Sequence, residues 1–141
     1  MILQIDERFT DDNIKRFGCY FMVILYYVNK IANIPFDPDK IQLIKSTLVS
    51  KNLMGNDCYI KDPQGIFDYF GLPVIYMGHE GKAYQTKKAE FEVLCFKRFM
   101  GRRSYNHFVG GCNGHVTYDP MGYSKAVKLG QIDSKRIYFV D

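Results

Sequence analysis

The chain has no tryptophan, no Cys-x-x-Cys pair and no apolar stretch long enough to cross a bilayer. Each absence excludes something. The four cysteines, Cys19, Cys58, Cys95 and Cys112, lie far apart, so no zinc site of the usual paired spacing is expected. No P-loop and no G-x-G-x-x-G occurs, so no nucleotide cofactor is expected, and no metal or other cofactor either. The longest apolar run, Cys19 to Val28, has ten residues, where a membrane-spanning helix needs about twenty. The first residues, MILQIDERFTDD, carry Asp6, Glu7, Asp11 and Asp12 and lack a basic segment followed by an apolar core. No signal peptide is therefore expected. The acids show no paired arrangement of the kind glycoside hydrolysis uses. Together these absences predict a cytoplasmic protein with free thiols in a reducing compartment.

What is present fits a single domain, residues 1–141, with 47% hydrophobic and 24% charged residues. A chain of this length buries about two-thirds of its unfolded surface, enough to fold without a disulfide or a metal. The net charge is +4. The densest basic cluster is Lys97, Arg98, Arg102 and Arg103, with Lys87 and Lys88 nearby. Scattered as the rest are, these read as a solvated face, and no specific nucleic-acid partner is expected. Nothing in the sequence sets an oligomeric state.

Gly18 to Asn33 is apolar almost all round and too long for an ordinary strand, so it predicts a buried helix despite its β-branched and aromatic residues. Asp37-Pro38 is an N-cap followed by proline at the first helical position, opening a helix to about Lys51 with Ile41, Ile44, Leu48 and Val49 on one stripe. Asp62-Pro63 repeats the signal for a short helix to Phe70, closed by Gly71. Strands are predicted at Val74–Met77, Glu90–Phe99, Asn106–Cys112, Val116–Tyr118 and Arg136–Val140. Within Glu90–Phe99, Phe91, Val93, Cys95 and Lys97 share one face, with Leu94 and Phe96 opposite. Asn113-Gly114 between two strand-like runs is a strong hairpin signal. The predicted class is α+β: helices first, then an antiparallel sheet.

Three residues carry the chemistry. Cys19 follows Gly18 at the opening of the buried helix, where unpaired N–H groups and the helix dipole favour a thiolate. Its bland reading is a small buried thiol. His107 begins the strand His-Phe-Val-Gly-Gly, and Asp119 ends the strand Val-Thr-Tyr-Asp-Pro. An acid across a hairpin can fix the tautomer and orientation of a histidine, which can then activate a thiol. Their bland readings are a structural strand-edge histidine and a turn-forming Asp-Pro. A strict two-residue turn at Asn113-Gly114 would pair His107 with Pro120 and send Asp119 to the opposite face. The arrangement therefore requires a bulge, for which Gly110-Gly111 is the natural place. His79, within Gly78-His79-Glu80-Gly81, reads as a solvated turn residue, and His115 and Asp119 four apart on a strand form no metal clamp.

The stretches Phe17-Gly18-Cys19-Tyr20, Asn106-His107-Phe108-Val109 and Val116-Thr117-Tyr118-Asp119-Pro120 resemble, in order and spacing, the papain-like bacterial cysteine peptidases. The C39-like branch is the nearer match and the NlpC/P60 branch a looser one. The middle, Asp62-Pro63-Gln64-Gly65-Ile66 leading into Tyr69-Phe70-Gly71-Leu72, is similar in style. The chain also resembles a small family of uncharacterised papain-like proteins encoded on spirochaete plasmids and prophages. The resemblance implies a papain-like fold and a Cys19–His107–Asp119 triad that hydrolyses an amide bond in a peptide or peptidoglycan-like substrate. Such peptidases place a glutamine six residues before the cysteine as an oxyanion donor. Here Asn13 stands there, with the same amide on a stem one carbon shorter. Tyr20 departs from the small residue common after the cysteine and would narrow the cleft. Both departures also suit a second reading, an inactive papain-like fold acting as a binding module. A third would use the basic cluster on nucleic acid or a membrane surface.

Overall fold

The computed structural model describes residues 1–141. Five helices and five strands follow one another in the order α1 (Asp12–Phe17), α2 (Cys19–Ala32), α3 (Pro38–Ser50), α4 (Pro63–Tyr69), β1 (Val74–Gly81), β2 (Glu90–Met100), β3 (Arg103–Cys112), β4 (His115–Tyr118), α5 (Lys125–Leu129) and β5 (Gln131–Val140). The strands form one antiparallel sheet in the order β1-β5-β2-β3-β4. Helices and an antiparallel sheet occupy separate parts of the chain, an α+β arrangement.

Helix α2 is the centre of the core. Phe21, Met22, Val23, Ile24, Leu25, Tyr27 and Val28 are all buried. Each such side chain contributes about 1.5–3 kcal/mol on burial, against a few tenths per residue by which Val, Ile and Tyr disfavour a helix. Burial wins, and the β-branched run is helical. α3 and α4 start where their Asp-Pro pairs direct: Asp37 accepts from Lys40 N–H and Asp62 from Gly65 N–H. Gly71 closes α4 with a positive φ of 68°.

The sheet has two dressed faces. Phe91, Val93, Phe108 and Tyr138 pack with the main core under α2, whereas Leu94, Phe96 and Val109 form a second cluster covered by Ala126 and Val127 of α5. The alternation within β2 is the one its sequence predicts. The strands β3 and β5 begin earlier than expected, at Arg103 and Gln131, and three larger features differ from the sequence expectation. Asp12–Phe17 is a helix, capped by Asp11, whose side chain accepts from Asn13 and Ile14 N–H. Lys125–Leu129 is a helix capped by Ser124. The Gly78–Gly81 segment is strand, not turn, because a register shift between Tyr76 and Gly78 absorbs the left-handed glycine (φ 112°) and pairing continues with His79 opposite Arg136.

No helix is long and apolar enough to cross a membrane. All four cysteines are free thiols.

Candidate functional site

Cys19 is the first residue of α2, and its place is set by the glycine before it. α1 ends against Gly18, whose N–H donates to the Ile14 carbonyl at 2.9 Å. A Cβ on Gly18 would lie 2.5 Å from that carbonyl oxygen and 2.9 Å from Ile14 Cα. Only glycine fits, for reasons of space. As N-cap it offers no side chain, so the first N–H groups of α2 receive no side-chain cap.

His107 and Asp119 are brought together by the β3–β4 hairpin. Asn113 (φ 49°) and Gly114 (φ 81°) make the two-residue turn, and Cys112 pairs with His115. The register then shifts between Gly110 and Gly111: Gly111 pairs with Val116 but Gly110 with Tyr118. The extra residue is Thr117, on the β4 side. The shift brings His107 and Asp119 to the same face. Gly111 is confined there, since a Cβ would lie 2.4 Å from Leu94 Cδ1 and 2.9 Å from the His115 carbonyl. Its N–H donates to Tyr27 Oη of α2 at 3.0 Å, and that hydroxyl donates to the Glu92 carbonyl at 2.7 Å. The core helix thereby holds the bulge in place.

The His107 Nε2 and Asp119 Oδ1 atoms are 2.7 Å apart, in a buried setting. Asp119 Oδ1 also accepts from Met121 N–H, and Oδ2 from Ser124 N–H, both at 2.9 Å. An ionised carboxylate only accepts, so Nε2 carries the proton and Nδ1 is the ring nitrogen left for another partner. Cys19 lies near enough to the imidazole to raise its affinity for a proton. Burial works against a charged imidazole here. The hydrogen bond to Asp119 and the nearness of Cys19 outweigh it and push the imidazole up to about 9. Burial works against the Asp119 carboxylate too, but the bonds from His107, Ser124 and Met121 outweigh it and hold the group far below the usual carboxylate range.

Cys19 opens onto a cleft of about 690 Å³, a size typical of ligand sites. Its walls come from the start of α2 (Cys19, Tyr20), the loop Asp57–Lys61, Tyr76 and His79 of β1, Phe108 of β3 and Arg136 of β5. Tyr20 lies partly against the sheet: its ring is 4.7 Å from Phe108 and its hydroxyl 2.6 Å from Tyr138 Oη. Cys58 also lines the cleft but is buried, and burial foremost pushes its thiol up to about 11.

Asn13 sits in α1, half-buried, and its amide nitrogen donates to the Asn56 carbonyl at 3.1 Å. It does not line the cleft. The basic residues Arg98, Arg102 and Arg103 lie at the far end of the β2–β3 hairpin, next to exposed Phe99 and Met100. No three His, Cys, Asp or Glu side chains converge so as to hold a metal ion. The sequence reading did not identify Arg136, Tyr76 or Tyr59 as cleft residues. They arrive from strands and a loop distant in sequence, and nothing local in the sequence marks them as neighbours.

No curated protein and no solved structure matches the chain. A family model described as "Protein of unknown function, DUF261" matches residues 1–140. With all but its last residue inside that match, the chain belongs to the DUF261 family.

Proposed function

We propose that this protein is a papain-like thiol hydrolase that cleaves an amide bond, with Cys19 as nucleophile, His107 as base and then acid, and Asp119 as the residue that positions His107. The observation that carries the reading is the buried imidazole held through Nε2 by a fully engaged carboxylate at 2.7 Å, with the thiol at the uncapped start of α2 near enough to act on its protonation. In this reaction His107 Nδ1 takes the thiol proton and the sulfur attacks the amide carbonyl carbon. The developing oxyanion meets the Cys19 backbone N–H at the helix start. The C–N bond breaks as His107 gives its proton to the leaving amine. Water then attacks the thioester with His107 as base, releasing the acid and restoring the thiol. Helices before an antiparallel sheet, with the cysteine opening the central helix, agree with the C39-like resemblance of the sequence.

A second reading, an inactive papain-like binding module, is favoured by one observation: the Asn13 amide is engaged with Asn56. One amide N–H of Asn13 is used in that bond, and the residue does not line the cleft where an oxyanion would form.

Site-resolved alkylation separates the two. At pH 6, iodoacetamide is expected to modify Cys19 well ahead of the exposed Cys112, because an imidazolium beside the sulfur favours the reactive thiolate. If Cys112 is modified first, the hydrolase reading fails.

A further inference from the structure

The cleft beside Cys19 is apolar on its walls but basic in its charged groups. Arg136 and Lys61 line it, with His79 nearby on β1, and the only acid on the lining is Asp57. Arg136 takes part in none of the chain's ion pairs. Its guanidinium is half-buried, lies 4.8 Å from the Phe108 ring centroid and donates through one nitrogen to Ser134 Oγ at 2.7 Å. The guanidinium lies over Phe108, the neighbour of His107, and is tethered by Ser134, and its remaining N–H groups have no protein acceptor. Asp57 does not neutralise it: one oxygen accepts from Tyr59 N–H and the carboxylate joins no ion pair. The Lys61 ammonium donates only to the Asn52 side chain. A fixed, unpaired guanidinium at the wall of a cleft suits a planar anion, above all a carboxylate taken by two parallel N–H bonds. A phosphate would demand more donors in convergence than one fork and one exposed lysine supply.

We propose that the substrate is an acidic amide, a peptide-like chain bearing a carboxylate close to the scissile bond, and that Arg136 binds this carboxylate with Lys61 in support. The proposal rests on the thiol-hydrolase reading of the same cleft. Tyr20, Tyr76 and Phe108 would hold the apolar part of the residue that carries the acid.

Two alkylating reagents of nearly equal size test it, iodoacetate with a carboxylate and iodoacetamide without. The rate at Cys19 is measured for each by mass spectrometry on the intact chain and divided by the rate with a neutral cysteine amide in solution. The expected result is a normalised preference for iodoacetate of about tenfold, the effect of one charged hydrogen-bonded contact. The preference should fall to near unity in Arg136→Gln and survive in part in Arg136→Lys. The exposed Lys61→Gln should lower it by a smaller factor. Equal normalised rates in the wild type overturn the proposal with no variant needed, even while fast iodoacetamide labelling leaves the hydrolase reading standing. If Cys19 is inert to both reagents, the hydrolase reading fails and the proposal fails with it.

Discussion

Two buried ion pairs lie on the sheet, and they are built differently. In the first, Glu92 is fully buried and accepts from Lys135 Nζ at 3.0 Å and from Gly114 N–H at 3.1 Å. Thr86 Oγ1 adds a contact at 3.1 Å, and Lys135 also donates to the Tyr84 carbonyl at 2.7 Å. Thr86 and Asn113 bond each other in turn, so the cluster closes on the Asn113-Gly114 turn. Both charges are buried and bonded within the cluster, and no nucleophilic side chain belongs to it. In the second, Asp119 is equally saturated, but its partner His107 has a second nitrogen that leads to Cys19 and so to the cleft. The first pair holds a hairpin in shape. The second has an open end, and the open end is where chemistry can occur. Burial of a charge alone does not mark a site; a buried, satisfied group with one donor or acceptor directed at a nucleophile does.

The comparison breaks most visibly at Glu92. Glu92→Ala strands the buried Lys135 ammonium, a loss of about 3–5 kcal/mol. The melting temperature should drop by roughly 10 °C. Protein that remains folded should keep fast labelling at Cys19. A stable variant would mean that the cluster is not the closed structural unit its bonds describe.

Asp119 gives the converse. Asp119→Ala should lower Cys19 alkylation at pH 6 by about 10²-fold, within the range of a positioned acid–base system. Asp119→Asn should fall between that variant and the wild type. Its single oxygen can serve His107 and Met121, but its amide then faces the Ser124 N–H, which loses its acceptor. Rates measured on the two variants in parallel with their melting curves separate orientation of His107 from loss of the turn.

Gly111→Ala sharpens the role of the bulge. The added methyl meets Leu94 and the His115 carbonyl, a cost of about 1–3 kcal/mol. Because it disturbs the register that carries Asp119, it should slow Cys19 labelling as well as lower the melting temperature. A melting shift with unchanged labelling would show that the bulge is not what positions the pair.

The pH dependence of stability offers a further test. His107 is raised from 6.5 to about 9 on folding. Its contribution is therefore complete below pH 6.5 and is lost as pH rises through about 9. Asp119 is lowered, so its share is present above its ordinary value of 3.8 and disappears as pH falls further. Melting curves of the wild type should decline between pH 6.5 and 9 relative to those of His107→Gln, and a parallel pair of curves would exclude the shift.

Much of this was legible in the sequence where a local rule is strong. The Asp-Pro caps gave α3 and α4, the apolar run gave α2, and Asn113-Gly114 gave the hairpin with the need for a shift at Gly110-Gly111. Helices α1 and α5 were not legible. α1 has six residues with only Ile14 buried, and α5 has five with none buried, so neither carries a periodic stripe. β1 was cut short at Met77 because Gly78 and Gly81 look like turn residues in isolation. Cys19, His107 and Asp119 stood out because each sits in a short motif. Arg136 did not, because its importance comes from packing on Phe108 and from the lack of an acid beside it, and neither is written in the neighbouring residues.

The central claim is that His107 sets the reactivity of Cys19. The direct measurement is the rate of Cys19 alkylation against pH in the wild type and in His107→Ala, followed peptide by peptide. The wild type should keep substantial reactivity well below pH 7, while His107→Ala should retain only the steep alkaline rise of an ordinary thiol. If the two profiles coincide, the imidazole does not act on the sulfur, and the thiol-hydrolase reading is wrong.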